Sequence, residues 1–180
     1  MIIGLCGLAR SGKDSFFNFV KKFDFNEKPN MRLAFADELK KEIDNFLLSN
    51  FEISAFTEDI EEKKIIRPML VAYGMQKRAI SNGLYWINKI EQEIKLSQNK
   101  YNYFVTDVRF PNEVLKIKDM GGFCIHIERE GNIAPNSEEE KNDPIVKKES
   151  QYNFRWSDFN ESRDPALSVE NFLREKSILQ

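Results

Sequence analysis

The stretch IIGLCGLARSGKDSFF, residues 2–17, decides the fold of this chain. It begins with an unbroken apolar run from Ile2 to Cys6, which is typical of a strand buried on both faces of a parallel sheet. A glycine-bearing loop follows. From Gly12 onward the apolar residues take helical spacing, at Phe16, Phe19, Val20 and Phe23. The chain is therefore predicted to open as strand, glycine loop and helix.

The glycine loop has the spacing of a phosphate-binding loop. Four residues separate Gly7 from Gly12, and Lys13 follows directly, which is the P-loop pattern. Glycines let successive backbone N–H groups point at phosphate oxygens, and a helix that starts near Lys13 adds the positive end of its dipole. We predict that Lys13 bridges the β- and γ-phosphates of a bound nucleotide. The alternative is a glycine-rich turn that binds nothing.

The residue after Lys13 departs from the general motif. Most P-loops carry a Ser or Thr there, whose hydroxyl holds Mg²⁺. This chain has Asp14, with Ser15 one position later. Because Mg²⁺ takes hard oxygen ligands and keeps several waters, Asp14 could hold the metal directly or through water. The sequence leaves the metal role open between Asp14 and Ser15.

Strands and helices alternate along the rest of the chain. We predict strands at 31–36, 103–106 and 123–127, and helices that begin near Asp37, Trp86, Asn112 and Asp164. Such alternation implies right-handed crossovers in a parallel sheet. The stretch from Gly131 to Ser150 is rich in Glu, Lys, Asn and Pro and is interpreted as a solvated loop, a lid or a mobile insertion. The predicted class is α/β, a three-layer fold with a parallel sheet flanked by helices.

A second candidate site lies where the 103–106 strand ends. Asp107 follows this strand, and ligands collect at the C-terminal ends of parallel strands. We therefore predict that Asp107 contacts metal or substrate, with a structural cap for the helix at Asn112 as the alternative. Arg109 lies two residues further on, where it can neutralise phosphate charge.

Composition excludes several classes of protein. The 180 residues, 41% of them hydrophobic and 15 of them Phe, suit one folded domain. The balance of 27 Lys and Arg against 29 Asp and Glu argues against a duplex-DNA binder. Two cysteines, Cys6 and Cys124, make no disulfide framework and indicate a reducing cytoplasm. No run approaches the roughly 20 apolar residues that cross a bilayer, so we expect no membrane contact.

With these residues in view, the chain resembles the deoxynucleoside monophosphate kinases of bacteriophages, relatives of the nucleoside monophosphate kinase branch of P-loop proteins. Three blocks carry the resemblance: Arg10 to Ser15, then Arg67 to Leu70 with Gly74 and Trp86, then Thr106 to Glu113 running into Gly121-Gly122. An Asp after the P-loop Lys is usual in that family. The resemblance implies one kinase domain over 1–180, with acceptor-binding helices at about 37–100 and a lid at about 129–150.

The resemblance also implies the ligands and their residues. ATP is the expected phosphoryl donor with Mg²⁺, and a deoxynucleoside 5′-monophosphate is the acceptor. The implied cofactor-binding residues are Arg10, Ser11, Gly12, Lys13, Asp14 and Ser15, of which Asp14 and Ser15 are the metal candidates. The implied catalytic residues are Lys13, Asp14 and Arg109. The implied acceptor-binding residues are Arg67, Gly74, Trp86, Asp107, Arg109 and Arg129. A homodimer is left open, and a viral protein of this kind would act in the host cytoplasm.

Two positions depart from the family pattern. Val71 and Met75 stand where relatives carry a Gln and a Thr, so the preferred base stays open. Two other functions are kept as alternatives: a P-loop kinase for another phosphorylated acceptor, such as phosphomevalonate or dephospho-coenzyme A, and a non-catalytic nucleotide-binding module. His126 is expected to be a core or strand-face residue. The tail shows only a loose aromatic cluster of Phe154, Trp156 and Phe159.

Overall fold

The computed structural model describes residues 1–97, 100–156 and 164–179. In these ranges the strands are β1 (Ile2–Cys6), β2 (Asn30–Leu33), β3 (Asn102–Val108), β4 (Phe123–Glu128) and β5 (Tyr152–Arg155). The helices are α1 (Lys13–Val20), α2 (Phe35–Phe51), α3 (Ile60–Ile80), α4 (Tyr85–Leu96), α5 (Pro111–Asp119), α6 (Ser137–Glu149) and α7 (Pro165–Glu175).

The five strands form one parallel sheet in the order β2-β3-β1-β4-β5. The central strand is β1, whose Ile3 lies opposite Phe104 of β3 on one side and Phe123 of β4 on the other. All five residues of β1 are buried, as its unbroken apolar run predicts. The predicted α/β fold, with a parallel sheet flanked by helices, is confirmed. The loop that follows β1 therefore begins at the C-terminal end of the middle strand of the sheet.

Helices cover both faces of this sheet, because successive side chains of a strand point to opposite faces. Ile3 and Leu5 of β1 belong to a core with residues of α1 and α7, among them Phe16 and Phe172. Gly4 faces the other way, where a Cβ would lie 2.6 Å from Ile117 Cδ1 of α5. The missing side chain of Gly4 therefore lets α5 approach the centre of the sheet.

The chain divides into two compact units. The first, which we call the sheet unit, comprises Met1–Leu33 and Ile94–Gln180. The second, the helical unit, comprises Ala34–Glu93 and has a small core of its own around Ile43, Leu47, Ala55 and Ile66.

The segment expected to be a solvated loop or lid is largely helical, and the loop interpretation is wrong. Helix α6 occupies Ser137–Glu149. The Asn136 side chain caps it by accepting from the Glu139 N–H at 2.8 Å. Three Glu in its first turn and two Lys in its last complement the helix dipole. It is a polar surface helix in which only Glu139 and Val146 are buried, so its low hydrophobicity did not indicate a helix.

Smaller differences concern element boundaries. Helix α2 starts at Phe35, so the strand predicted for 31–36 ends earlier, and Asp37 lies in the first helical turn instead of capping it. Strand β5 was not predicted, and helix α3 was expected only as part of the acceptor-binding helices at about 37–100. Phe159 of the expected aromatic cluster lies outside the described residues. Within the described ranges, no helix is both long and apolar enough to cross a membrane.

Candidate functional site

The loop between β1 and α1 has the backbone that its glycines predict. Gly7 and Gly12 have φ angles of 118° and 95°, a region that L side chains rarely adopt. Space excludes side chains at both positions as well. A Cβ on Gly7 would lie 2.4 Å from the Ile127 carbonyl oxygen, and one on Gly12 would lie 2.5 Å from Trp156 Nε1. The loop is therefore packed against neighbouring parts of the sheet unit.

The Lys13 ammonium lies inside this loop. Its Nζ donates to the carbonyl oxygens of Gly7 at 2.7 Å and Leu8 at 2.6 Å. Burial, together with the charge of Arg109, lowers the pKa of Lys13 to about 8, although Glu139 and Asp107 act in the opposite direction. Lys13 is thus still mostly protonated at neutral pH. It is a buried cation at the position where a P-loop needs one.

Trp156 contacts the loop between β1 and α1 through its indole ring. Its indole Nε1 donates to the Ser11 carbonyl oxygen at 2.8 Å. The indole packs edge-on against Phe154 of β5, with the ring centroids 4.8 Å apart. The sequence showed an aromatic cluster here but gave no sign that Trp156 contacts a loop that lies far from it in the chain.

Arg109 follows β3 directly, and a hydrogen bond from its backbone N–H holds it in position. The Glu113 carboxylate accepts from the N–H groups of Arg109 at 2.8 Å and Phe110 at 3.0 Å. The Arg109 guanidinium pairs with Glu139 of α6 at 2.7 Å. The other oxygen of that carboxylate accepts from the Ala9 N–H in the loop at 2.9 Å. The sequence did not single out Glu139, because one Glu in a run of three carries no distinguishing signal.

A cleft of about 440 Å³ adjoins the loop. Arg129, which follows β4 and is exposed, lines it together with Leu8 and Ser11. His126 also faces the cleft and is buried, with Nε2 2.9 Å from Asp143 Oδ1 of α6. The expectation that His126 is a satisfied strand residue holds for this nitrogen, whereas its Nδ1 has no hydrogen-bond partner.

Asp14 and Ser15 are exposed on the first turn of α1. Asp14 Oδ1 lies 3.5 Å from Arg32 Nε. Within the described parts of the chain, no three His, Cys, Asp or Glu side chains are grouped as a metal cage. An exposed carboxylate and hydroxyl beside a loop with P-loop spacing nevertheless fit Mg²⁺, which shares its coordination with substrate phosphates and waters.

The sheet unit thus gathers the expected cofactor-binding residues and three of the expected acceptor-binding residues at the C-terminal ends of its strands. Residues Arg10 to Ser15 follow β1, Asp107 and Arg109 lie at the end of β3, and Arg129 follows β4. Asp107 is partly buried, and its charge raises the pKa of Lys13. This edge of the sheet is where the order of strands predicts ligand binding.

The other expected acceptor residues belong to the helical unit. Arg67 is exposed on α3 and lines a shallow groove together with Val71 and Met75. Gly74 leaves room for Leu39 of α2, which a Cβ would meet at 2.6 Å. Trp86 is only 3% exposed, and its Nε1 donates to the Gly74 carbonyl oxygen at 3.2 Å. Trp86 is therefore a core residue here, and its stacking against a base stays a prediction.

A polar cluster around Glu42 was not foreseen from the sequence. Its carboxylate accepts from the hydroxyls of Tyr73 at 2.6 Å and Tyr85 at 2.7 Å, and pairs with Lys77 at 2.8 Å. Burial alone would raise the pKa of Glu42, but the hydrogen bonds from Lys77, Tyr73 and Tyr85 outweigh it and lower the pKa to about 2. The cluster joins α2, α3 and α4.

No protein-family model and no curated protein sequence matches this chain. Among solved structures, an unliganded sugar kinase from Janibacter sp. HTCC2649 aligns with it at 12% sequence identity and a TM-score of 0.48. The alignment covers 98% of this chain and 94% of that chain. A likeness of this strength carries no information about substrate.

Proposed function

We propose that the protein is an ATP-dependent kinase that phosphorylates deoxynucleoside 5′-monophosphates. One observation carries the proposal: a glycine loop at the C-terminal end of the central parallel strand encloses the Lys13 ammonium, with the Arg109 guanidinium close by. Backbone N–H groups with two adjacent cations make a site for a polyphosphate. The identity of the acceptor rests on the family resemblance.

The loop would hold the donor phosphates. Lys13 now donates to two loop carbonyl oxygens, and these bonds would be exchanged for bonds to the β- and γ-phosphate oxygens. The cleft beside Leu8 and Ser11 is large enough to receive the nucleoside part of the donor. Mg²⁺, held from Asp14 or Ser15, would neutralise phosphate charge.

The reaction needs no special nucleophile from the protein. An oxygen of the acceptor phosphate attacks the γ-phosphorus of ATP, and the bond from that phosphorus to the bridging oxygen breaks. The products are ADP and a deoxynucleoside diphosphate. Charge grows on the leaving and peripheral oxygens, where Lys13 and Arg109 would stabilise it. Positioning and charge neutralisation therefore supply the catalysis.

The acceptor is assigned to α3 of the helical unit. Arg67 would bind its phosphate, because a guanidinium can form two parallel bonds to phosphate oxygens. Val71 and Met75 line the same groove as Arg67 and present apolar side chains. The groove residues thus offer few hydrogen-bonding groups to a base, so the preferred base has to be measured.

The test is ADP release, coupled to a detection enzyme, with ATP and a panel of acceptors. The panel contains the four deoxynucleoside monophosphates, their ribose counterparts, phosphomevalonate and dephospho-coenzyme A. We expect turnover with at least one deoxynucleotide. Turnover only with another acceptor would favour the second kinase assignment. Binding of ATP and a monophosphate without ADP release would favour the non-catalytic module.

A pair of variants tests the loop. Lys13→Ala should abolish ADP release in a folded protein, whereas Lys21→Ala, which changes an exposed lysine just after the same helix, should leave it unchanged. Turnover by folded Lys13→Ala at the rate of the unmodified protein would contradict the loop assignment.

A second pair tests the acceptor. A lost charge-assisted bond costs about 1.5–3 kcal/mol, so Arg67→Ala should raise the acceptor KM roughly tenfold or more and leave the KM for ATP nearly constant. Lys63→Ala, which changes an exposed lysine of α3 outside the lining of that groove, serves as the control. An effect of Arg67→Ala on ATP alone would move the acceptor site elsewhere.

A further inference from the structure

Glu139 places a carboxylate where the phosphate loop would bind its ligand. Its side chain is only 7% exposed. One oxygen accepts from the Ala9 N–H at 2.9 Å, and the other pairs with Arg109 Nη1 at 2.7 Å. A loop N–H and a guanidinium are the groups that bind phosphate oxygens in a P-loop site. Glu139 thus makes the contacts expected of a phosphate.

The charges around the loop explain why a carboxylate is stable there. Arg109 lowers the pKa of Lys13, whereas Glu139 raises it, so the carboxylate offsets the repulsion between two neighbouring cations. A bound polyphosphate would supply the same negative charge. The carboxylate and the phosphate therefore compete, because two anions on one N–H and one guanidinium repel each other.

Helix α6 holds the carboxylate in this position. Asp143, one turn further along α6, accepts from the His126 Nε2–H at 2.9 Å. Near the C-terminal end of the helix, Glu149 pairs with Lys118 of α5 at 2.9 Å. Asn132, which precedes α6, donates to the Ala9 carbonyl oxygen at 3.0 Å. Helix α6 thus contacts β4 through Asp143 and α5 through Glu149, and the segment before it contacts the loop through Asn132.

We propose that Glu139 is an autoinhibitory residue, whose carboxylate occupies a phosphate position and must leave before ATP binds. The inference rests on the proposed function, since it assumes that the loop binds nucleotide phosphates. The apparent affinity for ATP is then the intrinsic affinity reduced by the fraction of molecules in which the carboxylate has left the loop. Weakening the Glu139 contacts should raise that fraction.

Glu139→Gln is the direct test, measured by calorimetric titration of the purified full-length protein with ATP and with tripolyphosphate. The amide has the same shape and still accepts from Ala9, but it loses the charge that binds Arg109 and repels phosphate. We expect the Kd for both ligands to fall about fivefold or more. Glu140→Gln, a neighbour that is exposed, should bind as the unmodified protein does.

The outcomes separate this inference from the proposed function. Equal or weaker binding by Glu139→Gln overturns the inference while the loop assignment stands. If neither the unmodified protein nor any variant binds ATP or tripolyphosphate, the proposed function fails, and the inference fails with it.

A measurement on the unmodified protein covers the case in which Glu139→Gln does not fold. Hydrogen exchange is followed in peptides from 137–149 with and without ATP. Faster exchange in these peptides when ATP binds supports release of α6 from the loop. Unchanged or slower exchange with bound ATP overturns it.

Discussion

Glu42→Gln should destabilise the protein in a way that depends on pH. The carboxylate has a pKa of about 2 instead of the ordinary 4.5, because its hydrogen bonds from Lys77, Tyr73 and Tyr85 outweigh burial. A shift of that size corresponds to at most about 3 kcal/mol of unfolding free energy. The side chain is 21% exposed, and solvent screening reduces the expected contribution to about 1–2 kcal/mol.

The pH range in which Glu42 stabilises the fold follows from the direction of its pKa shift. A group whose pKa is lower in the folded state stabilises that state above the unfolded pKa, here about pH 4.5. The contribution is lost as the pH falls from there toward 2, and less than about half of it remains at pH 3. The stability gap between the unmodified protein and Glu42→Gln should therefore be full at pH 6–7 and narrow at pH 3.

Urea unfolding followed by circular dichroism at pH 7, 5 and 3 measures this gap. Glu58→Gln is the control. The Glu58 side chain is 95% exposed, and it forms an ion pair with Lys63, which is also accessible to solvent. We expect no measurable change in that variant. A gap for Glu42→Gln that stays constant from pH 7 to pH 3 would show that the charged carboxylate does not stabilise the helical unit.

The remaining predictions concern the loop. Gly12→Ala combines a φ of 95° with a contact of 2.5 Å to Trp156, and should cost about 1–3 kcal/mol in urea unfolding and abolish ATP binding. Gly131→Ala has a φ of 71° but no atom within 4 Å of its Cβ, so it should cost only about 1 kcal/mol; equal losses would refute the packing argument. Trp156→Phe keeps an aromatic ring but removes the donor to Ser11, and should raise the Kd for ATP severalfold, since a buried carbonyl loses its partner. An unchanged Kd would mean that the indole does not order the loop.

Four of the five strands, all except β5, were predictable because their signals are local. Each buried strand appears as an apolar run, and Gly7, Gly12 and Lys13 stand at spacings that require a particular backbone. Asp164 and Pro165 marked the start of α7, where Asp164 indeed caps the helix by accepting from the Ala166 N–H.

The residues that sequence reasoning missed act through long-range contacts. Glu139 and Trp156 reach the loop only because α6 and β5 return to the edge of β4. Nothing in a run of three glutamates tells which one will be buried. Helix α3 lies in the range where the resemblance implies helices, but its bounds were not predicted; Pro68 lies within it, and an internal proline normally argues against a continuous helix.

The central position of β1 determines when the loop between β1 and α1 can form during synthesis. Both neighbours of β1 come much later in the chain, since Ile3 lies opposite Phe104 and Phe123. At about 5–20 residues per second, a growing chain leaves β1 without a partner strand for several seconds or longer. Its apolar run is an exposed, unpaired strand throughout that interval, which is the condition that invites aggregation. The helical unit is translated during this interval, so its local helices can form before β3 is synthesised and pairs with β1.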